Sequence, residues 1–176
     1  MTILTNPWNI NPNILRLLVM KFHELDATDK RLLAELQRDA TLSLDALSEK
    51  ASLARNSCWR RVTRLDEAGV IKARVALLDP RAVNAKLMVF IAVRTSRHSA
   101  DWAERFRAAV KDIPEIVGAY RTAGEIDYIL QARVPDVAAY DALYQRLIAR
   151  IDMLDVSATF VMETMKETTE IPLGYA

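Results

Sequence analysis

Residues 55–64 bring together the side-chain types that recognise nucleic acid, among them Arg55, Asn56 and Arg60. Arginine can donate two parallel hydrogen bonds to O6 and N7 of guanine, and asparagine can pair similarly with N6 and N7 of adenine. Although the 176-residue chain has a net charge of only +1, residues 55–74 contain six basic and two acidic residues. The positive charge is therefore concentrated on one segment, which predicts an interface for double-stranded DNA.

A helical wheel sorts these side chains by direction. Cys58, Val62 and Leu65 follow helical spacing and predict a buried face. The side chains predicted to contact bases lie away from that face and are Asn56, Ser57 and Arg60. The predicted phosphate contacts are Arg61 and Arg64, and Arg55 can serve either role. Trp59, on a flank, is interpreted as a packing residue or a phosphate contact, and the alternative is a residue that stacks on a base. The alternative for the whole face is a basic helix surface that faces only solvent.

Capping signals indicate the elements that hold this segment. Asp26 and Ser43 are typical N-cap residues ahead of two segments with helical apolar spacing. Gly69 is typical of the left-handed residue that follows a helix C-terminus. The pattern predicts two helices, a tight turn and a third helix, the organisation of a helix-turn-helix. Residues 70–77 are predicted to form a strand, the wing of a winged helix-turn-helix. This order of elements argues against the solvent-facing alternative.

After a break at residues 79–81 the apolar pattern changes. Strands are predicted at residues 87–93, 116–122, 128–134 and 156–163, and helices at residues 101–111 and after Asp136. The order is β-α-β-β-α-β, that of a ferredoxin-like sandwich, so the fold class is α+β. Two helices cover one face of such a sheet. Because the first strand is apolar on both faces, we expect the second face to be covered by another subunit.

The segment between the second and third predicted strands could bind a small zwitterion. Gly124 permits positive φ and leaves backbone groups open to a ligand. An amino acid needs N–H groups or a cation for its carboxylate and an anion for its ammonium. Gly124 and Ile126 can offer N–H groups, and Glu125 or Asp127 can offer the anion. The alternative is an ordinary hairpin turn that carries acidic side chains.

Several of these motifs together resemble the leucine-responsive regulator family, also called Lrp/AsnC or feast/famine proteins. The resemblance covers residues 25–167. Its marks, in chain order, are LDATD at residues 25–29, CWRRVTRL at 58–65, GVI at 69–71, GEIDY at 124–128 and RVPD at 133–136. Where the family often has glycine and serine, this chain has Ser52 and Ala54. After the loop glycine, where the family commonly has aspartate and then an aromatic residue, this chain has Glu125 and Ile126.

The resemblance implies a winged helix-turn-helix joined to an ACT-like, amino-acid-sensing sandwich. It also implies homodimers formed through the second domain, which assemble into tetramers or octamers. The effector, usually an amino acid, is then expected near the loop at a junction between dimers. The residues expected to bind it are Ala123, Gly124, Glu125, Ile126, Asp127 and Tyr128.

The domain boundaries follow from these patterns. We expect an N-terminal extension at residues 1–24, the winged helix-turn-helix at 25–75, a linker at 76–86, the sandwich at 87–165 and a tail at 166–176. Met20 is an alternative translation start. The single cysteine cannot form an internal disulfide, which indicates a reducing compartment. No apolar run reaches the roughly 20 residues that cross a bilayer. A cytoplasmic protein without membrane partners is therefore expected.

Catalytic function has little support in the sequence. The chain has two histidines, and neither has metal-ligand spacing with the cysteine or with acidic residues. It contains no nucleophile elbow or phosphate-binding loop. We therefore expect no catalytic residue, metal or cofactor. The prediction is a sequence-specific, DNA-binding transcriptional regulator that responds to a small effector, which we expect to be an amino acid. The alternatives are an architectural protein that wraps DNA and a metabolite-binding regulatory module without DNA binding.

Overall fold

The computed structural model describes residues 24–96 and 99–176 in two compact units. The first unit comprises the described residues up to Val75 together with Thr168–Ala176, and the second is Ala76–Glu167. The expectations for residues 1–23, including the alternative start at Met20, lie outside the described residues. Within the described ranges, no helix is both long enough and apolar enough to span a membrane.

Three helices form the first unit: α1 (Ala27–Arg38), α2 (Leu44–Lys50) and α3 (Arg55–Glu67). The predicted N-caps are confirmed. The Asp26 side chain accepts hydrogen bonds from the N–H groups of Thr28 and Asp29, and the Asp29 side chain accepts one from the Asp26 N–H, which completes a capping box. The Ser43 side chain accepts from the Ala46 N–H. The buried residues of the core come from all three helices: Leu32, Leu47, Ala51 and Cys58.

The turn between α2 and α3 contains a residue with positive φ. Ser52 has φ of 56°, and the following Leu53 N–H donates to the Ser48 carbonyl at 2.8 Å. The N-cap of α3 is Ala54, which makes no side-chain cap bond. At the other end, Gly69 has φ of 71°, and the Val70 N–H donates to the Leu65 carbonyl at 3.0 Å. The helix therefore ends in the predicted left-handed glycine cap.

The predicted strand at residues 70–77 is wrong for this structure. The chain there is irregular, and Val75 and Leu77 are 71% and 70% exposed. A strand needs a neighbour that takes up its backbone hydrogen bonds. In the described part of the chain, no strand pairs with residues 70–77. The alternating apolar pattern alone does not supply such a neighbour.

The last residues of the chain belong to the first unit and lie on α1. Gln37 forms two hydrogen bonds with the backbone of Ile171: its Oε1 accepts from the N–H at 2.6 Å, and its Nε2 donates to the carbonyl at 3.1 Å. Lys30 donates to the carbonyl oxygen of Ala176. A short 3₁₀ helix, Leu173–Tyr175, lies between these two contacts. The terminal segment therefore has a fixed position on the helix-turn-helix unit.

The second unit confirms the predicted β-α-β-β-α-β order. The strands are β1 (Leu87–Arg94), β2 (Ile116–Arg121), β3 (Tyr128–Val134) and β4 (Asp155–Phe160), and the helices are α4 (Ala100–Lys111) and α5 (Val137–Ile148). The sheet is antiparallel with strand order β2-β3-β1-β4. The strand predicted at residues 156–163 ends earlier, at Phe160, because its antiparallel partner β1 begins at Leu87. The Val161 N–H makes the last contact, with the Met88 carbonyl.

The helices cover one face of this sheet. Val89, Ile91 and Val93 of β1 point into the core and are fully buried. Trp102 and Phe106 of α4 pack with them, with their ring centroids 5.0 Å apart. The indole N–H of Trp102 donates to the Asp152 carbonyl at 2.8 Å, so the buried ring has its polar atom satisfied.

The opposite face of the sheet is partly exposed among the described residues. Phe90 on β1 and Tyr120 on β2 are 39% and 56% exposed. Both pair with residues of β3 whose side chains point away from the helices, Gln131 and Ile129. At Gly118, a Cβ would lie 2.8 Å from the Tyr120 hydroxyl oxygen, so glycine lets the tyrosine ring lie across the strand. The face therefore presents exposed aromatic surface.

Candidate nucleic-acid interface and effector loop

The exposed face of α3 carries the side chains that were predicted to contact bases. Asn56 and Arg60 are exposed, and Ser57 is partly buried. Cys58 and Leu65, on the opposite side, are 0% and 2% exposed. The helix is therefore amphipathic in the predicted register, with its polar face available to a ligand.

The arginines of α3 differ in what they contact. Arg55 lies 2.8 Å from Asp45, but both side chains are mostly exposed, so the pair is weak and a phosphate could replace the carboxylate. Arg60 makes no ion pair with any residue in the described ranges. Its guanidinium is therefore available to bases or phosphates.

Arg61, predicted to contact phosphate, connects α3 to the start of α1 in the free protein. Its guanidinium lies 2.6 Å from Asp26 and 2.8 Å from Asp29, and its side chain is only 26% exposed. Hydrogen bonds to these two carboxylates raise the pKa of Arg61, and the bond to Asp26 has the larger effect. The Asp29 backbone N–H and the Arg61 guanidinium lower the pKa of Asp26. The charge of Arg61 is thus compensated within the protein.

Arg64 is both ion-paired and exposed. It lies 2.5 Å from Oδ2 of Asp29, yet its side chain is 57% exposed. Asp29 itself is 1% exposed and accepts from both arginines. In the sequence, Asp29 stood out only as the last residue of the LDATD motif at residues 25–29. The sequence feature that could have indicated its ion pairs is the i,i+3 spacing of Arg61 and Arg64. This spacing places two cations on one flank of the reading helix.

The candidate effector loop is built by backbone contacts around Asp127. The Thr122 N–H donates to the Asp127 carbonyl at 2.9 Å, and the Asp127 N–H donates to the Val93 carbonyl at 3.1 Å. The Asp127 carboxylate accepts from the Thr95 N–H at 2.8 Å. Asp127 therefore fastens the loop to the end of β1, a structural role that sequence analysis did not assign.

The tip of the loop is open. Gly124 has φ of 145° and lies in a region that side-chain-bearing residues rarely adopt, and Ala123 is exposed. The Glu125 carboxylate is 84% exposed and lies 3.9 Å from the guanidinium of Arg94 at the end of β1. Arg94 was not among the predicted effector residues, because it lies about thirty residues away in sequence. The pair places an anion and a cation side by side at the loop.

The side chains of Tyr128 and Ile126 lie away from the exposed tip of the loop. The Tyr128 ring packs in the core, 4.6 Å from the Phe106 ring centroid. The Ile126 side chain is partly buried, and its carbonyl accepts from the Thr122 hydroxyl. These contacts leave Ala123, Gly124 and Glu125 as the most accessible of the six predicted residues.

The described residues contain no group of three or more His, Cys, Asp or Glu side chains that could hold a metal ion. Cys58 is fully buried in the core of the first unit, and burial raises the pKa of its thiol. The thiol therefore stays protonated and packs as a small apolar group.

A helix-turn-helix with a basic exposed face, followed by a separate α/β sandwich, defines the class of DNA-binding transcriptional regulators. Two family profiles match the chain: winged helix-turn-helix DNA-binding at residues 25–72, and the Lrp/AsnC ligand binding domain at residues 88–171. The DNA-binding transcriptional activator DecR of Escherichia coli is 43% identical over 150 residues, which cover 85% of this chain and 99% of that protein. The chain therefore belongs to the Lrp/AsnC family of transcriptional regulators.

Solved structures agree with this assignment. The crystal structure of an AsnC family transcriptional regulator from Agrobacterium tumefaciens superposes with a TM-score of 0.84 at 49% identity, covering 86% of this chain and 99% of that one. A transcriptional regulator from Neisseria meningitidis, solved as a complex with L-methionine, has a TM-score of 0.82 at 36% identity, with 86% and 98% covered. The predicted family and fold are confirmed.

Proposed function

We propose that this regulator reads its DNA site chiefly through Arg60, with Asn56 and Ser57 beside it. The observation that carries the proposal is that Arg60 lies exposed on the polar face of α3 and has no carboxylate partner among the described residues. Its guanidinium therefore needs no internal ion pair to be broken before it binds guanine. Arg55 and Arg64 supply phosphate contacts at the two ends of the helix.

Arg61 has a different role in this proposal from the one that its sequence suggested. Its charge is shared between Asp26 and Asp29, so contact with a phosphate would require it to leave two carboxylates. It holds α3 at a fixed angle to α1 and so sets the direction in which Arg60 points. Arg61 is thus a positioning residue rather than a DNA contact.

The second part of the proposal concerns the loop at residues 123–128. An amino acid is a zwitterion, and Glu125 and Arg94 place opposite charges 3.9 Å apart at an exposed site. The effector ammonium would contact Glu125, and its carboxylate would contact Arg94 or the backbone N–H groups at Gly124. The family relative that binds L-methionine supports an amino acid as the effector class.

The third part concerns assembly. The open sheet face carries Phe90 and Tyr120, and apolar surface of this kind is typical of subunit interfaces. We propose a homodimer through this face, and further assembly into tetramers or octamers. An effector that binds one assembly more tightly shifts the population toward it. Because two reading helices must meet half-sites on one face of the duplex, assembly would then control DNA binding.

The test compares three single variants in DNA binding across a salt series. Arg60→Ala should weaken binding to the selected site by roughly 5- to 150-fold, the loss of one bidentate base contact, and relax one base position. Arg107→Ala is the matched control, because this exposed arginine lies on α4 of the other unit. Arg64→Ala should weaken all sequences alike and reduce the salt slope by about one unit. An unchanged motif and affinity for Arg60→Ala would show that the base-reading assignment is wrong.

A further inference from the structure

We propose that Trp59 determines specificity by contacting the 5-methyl group of a thymine in the major groove. The proposal rests on the proposed function of α3 as the reading helix. It adds an apolar contact to a surface that has so far been described only by its charges and hydrogen-bonding groups.

Trp59 is not buried in the core. Its side chain is 59% exposed, whereas Trp102 in the second unit is 1% exposed. Trp59 is not a member of the apolar cluster formed by the described residues of the first unit, although its neighbour Cys58 is fully buried there. The interpretation of Trp59 as a packing residue therefore does not extend to this cluster. An exposed indole leaves a large apolar area in water, and a ligand could cover that area.

The position of Trp59 on α3 selects the part of the DNA that it can reach. At about 100° per residue, Trp59 lies roughly 160° around the helix from Arg61. Asp29 contacts the Arg61 flank, whereas the Trp59 side chain on the other flank is mostly exposed. Asn56 and Thr63 lie on the same side, one turn before and one turn after. A helix about 10–12 Å wide fills a major groove about 12 Å wide, so a side chain on its flank lies between the sugar–phosphate wall and the base edges. A side chain as long as tryptophan can reach either of them from this position.

The chemistry of the indole favours a methyl group as its contact. The thymine methyl is the apolar group that the major groove presents. A phosphate is the other candidate at the groove edge, since the indole N–H could donate to it. Arg55 and Arg64 already offer exposed guanidinium groups for phosphates. The exposed apolar surface on α3 comes from Trp59. The free energy gained by removing that surface from water is available only from an apolar contact.

The experiment replaces the thymines of the selected DNA site one at a time by deoxyuridine, which lacks the methyl group. Dissociation constants are measured for the full-length protein and for Trp59→Ala and Trp59→Phe. At one thymine per half-site, the wild type should lose about fourfold in affinity, the amount expected for one methyl group. Trp59→Ala should bind the thymine and deoxyuridine sites equally. Trp59→Phe should retain discrimination, because it keeps an apolar ring without the N–H donor.

The control is Leu154→Ala, which removes a side chain of similar exposure, 62%, from the second unit. It should leave both affinity and discrimination unchanged. The proposal is overturned if no thymine shows a methyl effect that depends on Trp59. It is also overturned if Trp59→Phe behaves like Trp59→Ala, which would indicate an N–H donor to phosphate. If the wild type does not bind DNA, or Arg60→Ala binds normally, it is the proposed function that fails.

Discussion

The guanidinium of Arg61 lies 2.8 Å from a carboxylate oxygen of Asp29, a residue 32 positions earlier that is 1% exposed. This contact joins the middle of the reading helix to the first turn of α1. Arg64 reaches the second oxygen of the same carboxylate at 2.5 Å. One buried anion therefore fixes two cations on a single flank of α3, and the orientation of the exposed face follows from it.

Asp29→Ala should destabilise the first unit by about 2–3 kcal/mol, because charged hydrogen bonds are lost and Arg61 is left partly buried without its buried partner. The measurement is the rate at which a thiol reagent labels Cys58, the single cysteine, which is 0% exposed and becomes reactive on local opening. Asp45→Ala is the control. It breaks the exposed pair with Arg55 and should change the opening free energy by less than about 1 kcal/mol. Equal effects of the two variants would contradict a special role for Asp29.

The same cluster predicts a dependence of stability on pH. The Asp29 N–H and Arg61 lower the pKa of Asp26 below its usual value of 3.8. The unfolded chain therefore binds more protons than the folded one in this range, so stability rises with pH. The contribution is fully present above the unfolded pKa and is lost as pH falls through the lower, folded-state pKa.

Asp26→Asn keeps a good N-cap residue but removes the charge. Denaturant unfolding followed by circular dichroism should show the variant less stable than the wild type at pH 7. The difference should shrink as the pH falls below about 4. A difference of the same size at pH 7 and at pH 2.5 would mean that the charge of Asp26 contributes nothing and only the cap geometry matters.

Much of the first unit could be predicted from the sequence, because its signals are local. Asp26, Ser43 and Gly69 act on residues within one turn of themselves, and all three perform the predicted caps. The ion pairs of Arg61 could not be predicted in this way. They depend on the angle at which α3 crosses α1, and side-chain packing sets that angle. The strand predicted at residues 70–77 failed for a related reason, since alternation does not show whether a partner strand is present.

Two local departures from the family pattern should be correctable by substitution. Ser52 adopts φ of 56°, a conformation that costs a residue with a Cβ about 1–2 kcal/mol and costs glycine almost nothing. Ser52→Gly should therefore slow Cys58 labelling, with a gain of about 1 kcal/mol after the larger chain entropy of glycine is included. Gly69→Ala is the opposite control: φ of 71° should make it destabilising. Faster labelling of Ser52→Gly would show that the turn is not strained.

The N-terminus of α3 offers a second improvement. Ala54 has φ of −67° and ψ of 142°, the extended conformation of an N-cap residue, but its side chain cannot accept a hydrogen bond. Ala54→Ser should supply that acceptor and add about 1 kcal/mol to the stability of the unit. Ser43→Ala should lose a similar amount, because it removes the existing cap of α2. An Ala54→Ser variant no more stable than the wild type would indicate that the N–H groups of α3 are already satisfied by solvent.

The loop shows where prediction from sequence reaches its limit. Gly124 and the acidic residues around it indicated a ligand loop, but the sequence did not separate the two acids by role. The structure does so. Asp127 accepts from the Thr95 N–H and builds the loop, whereas Glu125 is exposed beside Arg94. The difference arises from the pairing of β1 with β3, which brings residues 93–95 next to residue 127.

Substitutions at the two acids should therefore have different consequences. Glu125→Gln preserves shape and removes the charge that we propose for the effector ammonium. It should leave the melting temperature of the free protein unchanged and abolish the increase that a bound amino acid produces. Asp127→Asn should lower the melting temperature of the free protein itself, because a neutral amide accepts the Thr95 N–H more weakly than a carboxylate does. Screening the twenty amino acids against the wild type identifies the ligand for this comparison. Arg105→Gln, an exposed arginine on α4, is the control and should preserve both values. If Glu125→Gln keeps the full ligand-induced increase, the effector ammonium binds elsewhere, and the pairing of Glu125 with Arg94 is only a surface contact.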